Sequence, residues 1–361
     1  MTVVTKDPAT QHNDLRAAQA AGITPDLCLM DAALLGSFAS KGTLVSLERF
    51  PDFADLAGLY VPSYLEATRF AGRVYGLPIN AQPYVLAGNR ALLGSRALPR
   101  DWQELLNVAR QVTRSAAGVY GFSFPGDGDT DTADRFAAWL LSGGGRILSP
   151  DGREPAFNGP AGVGALELLV RLQRSGAMQP DGVSGTVRDS LGSFIRTESA
   201  LTCEGPWVQS VMVRYGGGSA TPLELGPLPV AAPALEAHAP ATLLTLMTIC
   251  MWSTTAAPSA AWALLTFLRD EKADRAFTSG AQGGVPVVAS AYRLGVKWAM
   301  VGKEAFRQAA QSVQLWPAVP QLPFVQAQLG AAVSAALSGG RSARRALDDA
   351  ARAVAPRLTK G

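Results

Sequence analysis

The chain has 361 residues, of which 48% are hydrophobic and only 17% charged; that balance builds a large core and excludes disorder. The length points to two domains or more. Net charge is +3, and the densest basic cluster, Arg341, Arg344 and Arg345, is answered by Asp348 and Asp349 one turn on, so the bare basic face of a nucleic-acid binder is missing.

Val3 and Val4 read as a short strand, followed by an Ala-rich helix, 14–21, that Gly22 ends. Leu27–Met30 is a fully apolar run of the kind found in buried parallel strands. Asp31 stands at its carboxyl end, where open α/β sheets bind ligands, and also where it can cap the helix over 32–40. Gly72–Arg90 then holds two strand-length apolar runs, 74–79 and 84–87, joined by Asn80-Ala81-Gln82-Pro83. Pro78 and Pro83 cannot donate to a ladder, so they suit a strand start, an edge or a crossing between sheets. The stretch reads either as one hairpin or as a segment leaving one sheet for another, with Asn80 and Gln82 exposed between them as in a hinge.

Asp101 and Glu104 form a capping-box pattern ahead of a helix to about residue 114, with Trp102 in the core. A strand over 119–124 leads into a Gly/Asp loop, 125–132, before an apolar helix over 133–141. The Asp-x-Asp-x-Asp of that loop lacks the later glycine and the closing glutamate of a calcium loop, where Ala138 stands. Asp129 and Asp131 remain as ligand contacts or as a solvated helix cap. A hairpin over 147–157, helices near 162–174 and 189–196, and a strand over 198–203 follow, closed by Glu204-Gly205-Pro206-Trp207 and a helix over 208–215. Strands at 225–230 and 243–252 flank a Pro/Ala-rich loop with His238.

Pro258 opens a helix, and Gly280–Val287 is a loop whose glycines allow close approach of the backbone, without the Lys-Ser/Thr ending of a phosphate loop. Helices over 304–312, 322–337 and 342–355 close the chain, the last with Arg344–Asp348 and Arg345–Asp349 at i,i+4. Cys28, Cys203 and Cys250 are far apart in apolar runs and read as buried thiols, with neither zinc nor disulfide-framework spacing. His12 and His238 are too few for a histidine metal site or triad. No apolar run reaches transmembrane length, and residues 1–7 carry no signal-peptide pattern.

Val74–Asn80 (Val-Tyr-Gly-Leu-Pro-Ile-Asn), Leu98–Leu105, Leu140–Gly145, Glu204–Trp207 and Gly283–Val287 occur in this order, with Ala331–Ala336 and an Arg/Asp-rich terminal helix after them. Together they resemble the extracellular solute-binding proteins of ABC transporters, the family that includes maltose-binding protein. The resemblance implies a two-lobed α/β periplasmic-binding-protein fold of type II, each lobe a mixed sheet flanked by helices, with the solute in the cleft between them. It puts 1–80 plus 248–298 in one lobe and 83–245 plus 299–361 in the other, with crossings near 80–83, 245–248 and 298–301.

By the same resemblance Asp31 hydrogen-bonds solute hydroxyls, and Asn80, Gln82 and Tyr84 lie at the first crossing. Asp129 and Asp131 reach the solute from their loop. Glu204, Gly205 and Trp207 form the segment whose tryptophan stacks on a sugar ring, and Gln282, Val285 and Pro286 line the mouth. The implied function is capture of a small solute, a carbohydrate, by hinge closure, without catalysis, cofactor or metal. The implied setting is periplasmic or extracellular, with membrane permease subunits as partners and a monomeric chain.

One alternative stays within the binding class and another leaves it. A phosphorylated polyol would use Arg135, Arg196 or Arg293 as a fork. An α/β hydrolase would lean on Asp129 and Asp131, against the missing Gly-x-Ser-x-Gly elbow; a sensor's ligand domain is a third reading.

The chain departs from the pattern in three places. Residues 242–245, Thr-Leu-Leu-Thr, lack the aromatic that relatives carry near the second crossing, which implies a smaller solute. Asp31 has no neighbouring arginine. Relatives begin with an export signal, a strand and a long helix before the segment matching Val3–Thr5. We therefore expect in-frame DNA upstream of Met1 to encode these three pieces; a stop codon immediately upstream would refute this.

Overall fold

The computed structural model describes residues 2–4, 11–216, 223–231, 240–268, 284–293 and 303–359. In chain order, α1 (Gln11–Ala20), β1 (Leu27–Asp31) and α2 (Ala32–Ala39) are followed by short helices α3 (Phe53–Ala57) and α4 (Pro62–Glu66). A small hairpin, β2 (Arg69–Phe70) with β3 (Arg73–Val74), precedes β4 (Gly76–Pro83) and β5 (Val85–Asn89). Then come α5 (Arg90–Leu93), α6 (Trp102–Val112), β6 (Tyr120–Ser123), α7 (Thr130–Ser142), α8 (Pro160–Arg174), α9 (Val187–Ile195), β7 (Ser199–Glu204), α10 (Trp207–Tyr215) and β8 (Leu223–Gly226). The last third holds β9 (Thr242–Met251), α11 (Pro258–Phe267), α12 (Ser290–Arg293), α13 (Lys303–Ala309), β10 (Val313–Leu315), α14 (Leu322–Leu337) and α15 (Ala343–Leu358).

The strands form two main sheets. In the first, β9 pairs antiparallel with β4 along one edge; along the other it pairs antiparallel with β1 and parallel with β10. The second runs β6-β7-β5-β8. Each has its own core. Met30, Leu77, Ile249 and Trp252 pack with the first, and Phe122, Phe136, Trp139 and Leu169 with the second. No described helix is long and apolar enough to cross a membrane.

Between β4 and β5 only Tyr84 intervenes, so one extended segment leaves the first sheet and enters the second, as the paired prolines allow. Asn80 and Gln82 are not exposed between the sheets, however. Both lie inside β4 and are buried, and the chain changes sheets at Tyr84. Position 245–248 is likewise no crossing, because β9 runs unbroken through it within one sheet. β10 also belongs to the first sheet, although the sequence reading gave all of 299–361 to the other lobe. The third expected crossing, with Trp298, lies outside the described residues.

Other expectations shift for local reasons. Val3 and Val4 are exposed and unpaired. β1 runs antiparallel to β9 rather than parallel to a neighbour, and its Leu29 is 41% exposed. Asp101 caps α6 by accepting the Glu104 N–H, but the Glu104 carboxylate reaches back to the Arg100 N–H, one residue before the cap. Trp102 is only partly buried, its indole donating to the Pro229 carbonyl. On α15 the expected i,i+4 pairs give way to longer-range partners. Arg344 donates to the Asn158 carbonyl, Asp348 accepts from the Asn158 amide, and Asp349 pairs with Arg341 and Arg352.

Candidate functional site

The residues nearest the passage between the sheets sit at strand ends for a simple reason: a strand end exposes the next side chain while the ladder fixes its backbone. Asp31 ends β1, and its carboxylate accepts the Ala33 N–H at 2.8 Å, capping α2. Both sequence readings of Asp31 therefore concern one position. Burial pushes its pKa up to about 6, against the pull of that hydrogen bond.

Tyr84, at the change of sheet, is buried. Its ring meets Trp207 edge-on at 5.5 Å between centroids, and the Arg135 guanidinium lies 5.6 Å from its centre. Glu204 ends β7 with no exposure. One of its oxygens, Oε2, accepts from Arg135 Nη2 at 2.7 Å and from Trp207 Nε1 at 2.8 Å. Arg135, 1% exposed, also donates to Asp131 one helical turn earlier, at 3.1 Å. Asp131–Arg135–Glu204–Trp207 is thus a continuous polar chain from a partly exposed carboxylate to a partly buried indole. Burial raises the pKa of Glu204, opposed by the neighbouring Arg135 charge.

The local sequence explains the tryptophan's position. A Cβ on Gly205 would lie 2.1 Å from the Trp207 ring, so the indole folds across a backbone that only glycine can supply. Trp207 also packs against the second core, so it is half platform and half core residue.

Asn80 and Gln82 face a tight neighbourhood in β4. The Thr245 hydroxyl donates to Gln82 Oε1 at 3.4 Å. A Cβ on Gly284 would come 2.7 Å from that of Asn80, and Ala81 and Val285 exchange backbone hydrogen bonds of 3.1 and 2.7 Å. Val285 is consequently a core residue of the first sheet rather than a lining of the mouth, and Pro286 beside it is buried as well. Gln282 lies outside the described residues. Asp129 caps α7 through the Thr132 N–H; burial, then its neighbour Asp127, raise its pKa. Among the described residues no group of His, Cys, Asp and Glu is arranged to hold a metal.

Sequence reasoning missed Asp134. It is partly buried beside Arg135, and it accepts from Trp316 Nε1 at 2.9 Å and from Gln326 Nε2 at 3.3 Å. Burial drives its pKa well up, and the charges of Asp31 and Asp131 push the same way. Asp31 of the first sheet is therefore close enough to bear on a carboxylate of the second. The i,i+4 spacing of Asp131 and Arg135 was the one local signal that this helix face carries an ionic network. As a phosphate fork Arg135 fails, because its two terminal nitrogens are engaged by carboxylates; Arg196 pairs with Glu198 at the surface, and the Arg293 side chain lies outside the described residues.

The sequence model described as bacterial extracellular solute-binding protein matches residues 1–319. The chain belongs to that family. It is 25% identical over 271 residues to a binding protein of Brucella abortus, covering 74% of this chain and 63% of the relative. It is also 25% identical over 217 residues to the galactooligosaccharide-binding protein of Bacillus subtilis, covering 57% of this chain and 48% of the relative. The chain thus spans about half to two thirds of the length of these curated relatives. Among solved structures, an ABC-transporter solute-binding protein of Thermotoga lettingae bound with α-D-tagatose superposes with a TM-score of 0.88 at 22% identity, covering 97% of this chain and 90% of that one. The fold is therefore the two-lobed one of that family.

Two outcomes follow for this solute-binding chain. The pKa of Asp31 is higher folded than unfolded, so its contribution to stability is full below about 4 and is lost as pH rises through about 6. Asp31→Asn keeps the cap acceptor and removes the titration. Its melting temperature should match the parent near pH 4 and exceed it near pH 7, by up to about 3 kcal/mol of stability. Parallel melting curves across that window would exclude Asp31 as the titrating group. Second, Arg135→Met leaves Glu204 buried without its cation, and denaturant unfolding should show a loss of about 3–5 kcal/mol, partly restored by adding Glu204→Gln.

Proposed function

We propose that this chain is the non-catalytic capture subunit of an ABC importer, and that its solute is an uncharged, polyhydroxylated molecule of the sugar class. The first lobe is built on β1, β4, β9 and β10 and the second on β5 to β8, with Tyr84 at the passage between them. Asp31, Asn80 and Gln82 approach from the first lobe; Asp129, Asp131, Glu204, Gly205 and Trp207 approach from the second. Solute favours the closed form because only there do both lobes touch it. Closure then presents both lobe surfaces to the permease outside the cytoplasm, and the subunit acts as a monomer.

The observation that carries this reading is the Trp207 indole, held by a hydrogen bond to Glu204 and folded over Gly205 at the end of β7. A fixed aromatic face beside carboxylates suits the C–H face and hydroxyl rim of a pyranose or furanose. Asp131 and Glu204 engage both terminal nitrogens of Arg135, and this weighs against a phosphorylated solute. The sugars named for the Thermotoga and Bacillus relatives agree in class.

The test is calorimetric titration with a panel of ketohexoses, aldohexoses, polyols and short galacto- and malto-oligosaccharides, with glycerol phosphate as the charged comparison. A stacked ring that shields roughly 80 Å² of apolar sugar surface contributes about 2 kcal/mol. Trp207→Ala should therefore weaken binding of the best sugar about thirtyfold, while Trp207→Phe, which keeps an aromatic face, should lose less. Because Trp207 also packs on the second core, the ligand-free melt of the alanine variant should drop too. Sugar affinity unchanged in both variants would remove the stacking role, and selective binding of glycerol phosphate would overturn the solute class. Scattering should show the radius of gyration falling on saturation.

A further inference from the structure

β1 and β9 place Cys28 directly opposite Cys250, a pairing hidden by the more than two hundred residues that separate them in sequence. Both thiols are free in this structure. In the same ladder the Trp252 N–H donates to the Asp26 carbonyl at 2.9 Å. Two steps along, the alternation makes Cys28–Cys250 a hydrogen-bonded pair, whose Cα atoms stand about 5.5 Å apart. That lies within the range of about 4.4–6.8 Å that disulfides span.

The side chains share one face of the sheet. Trp252 Nε1 donates to Cys28 Sγ at 3.1 Å, and Thr248 Oγ1 lies 3.5 Å from Cys250 Sγ. Across β9, the residue opposite Cys250 on β4 is Gly76; a Cβ there would sit 3.1 Å from the Cys250 sulfur, so the glycine leaves room for it.

We propose that Cys28 and Cys250 close to a disulfide in the oxidising space outside the cytoplasm, covalently joining β1, with Asp31 at its end, to β9. The inference uses the extracellular character of the family and is independent of the solute. Cys28 is partly exposed and Cys250 fully buried, so oxidation enters at Cys28. The Cys28 thiolate attacks a disulfide oxidant, of the thiol–disulfide oxidoreductase class or oxidised glutathione, forming a mixed disulfide and releasing one thiol. Cys250 gives its proton to solvent and attacks the Cys28 sulfur, releasing the second thiol. Two protein thiols are oxidised to one disulfide and the oxidant disulfide is reduced to two thiols. Burial and the neighbouring Cys28 push the Cys250 thiol up, so the second step quickens in mildly alkaline solution. Cys203, buried in the other sheet, has no such partner opposite it and stays reduced.

The test uses the full chain purified with all thiols reduced and then incubated with oxidised glutathione at mildly alkaline pH. Thiol titration in denaturant should fall from three free thiols to one, and the intact mass should fall by two hydrogen atoms. Peptide mapping should join Cys28 to Cys250, and the melting temperature should rise and return on reduction. Cys203→Ser should still lose two thiols; Cys28→Ser and Cys250→Ser should form no internal disulfide. Three persisting thiols overturn the proposal, as does glutathione retained on Cys28 without closure. A Cys203→Ser variant that keeps both thiols does the same.

Discussion

The ion pair between Arg135 and Glu204, 2.7 Å long and withdrawn from water at both ends, is the constraint around which the second lobe's inner face is arranged. Removing two charges from water costs several kcal/mol each, and their attraction offsets this only when the remaining donors and acceptors are also engaged. Here the engagement spreads outward, and it leaves Arg135 Nε and Glu204 Oε1 buried without a hydrogen bond among the described residues. Arg135 takes Asp131 and lies near the Tyr84 ring; Glu204 takes the indole N–H of Trp207. The position of the Trp207 indole is thus tied to a helix, two strand ends and the passage between sheets. That coupling favours a rigid arrangement, because no member can turn without stranding a buried charge.

β9 plays the corresponding part for the first sheet. It is the one strand in contact with β1, β4 and β10, so it sets the register of segments drawn from three distant parts of the sequence. Through β4 it also fixes where the chain passes to the second sheet. A displacement of β9 would be felt at Asp31, Asn80 and Gln82 together. This is the geometry that a closing pair of lobes requires, with the polar residues of one lobe moving as a body. Cys28 on β1 and Cys250 on β9 face each other at the end of β9 remote from the passage.

The acidic balance around the passage bears on what the site can hold. Asp31 and Asp134, on different lobes, repel one another, and both are raised by burial. The sequence showed each acid singly; that Asp31 bears on Asp134 is a property of the fold.

Much of this protein was determined locally by its sequence. Pro78 and Pro83 bar an ordinary continuous ladder, so the passage of 76–89 between sheets was legible as one of two readings. Asp101, Asp129 and Pro258 marked helix starts because unsatisfied N–H groups and a fixed φ select those residue types. Gly205-Pro206-Trp207 announced a side chain placed by a turn. What the tertiary structure decided were the matters of pairing: that Asn80 and Gln82 are buried within β4, that β1 pairs antiparallel with β9, that Val285 faces the core, and that Cys28 meets Cys250. It likewise decided that Arg344 bonds to Asn158 rather than to Asp348. Local propensity depends on a residue's own backbone and near neighbours, whereas strand register and ion-pair choice depend on which distant segments share the burial of one surface. That information lies in the packing, and no window of the sequence contains it.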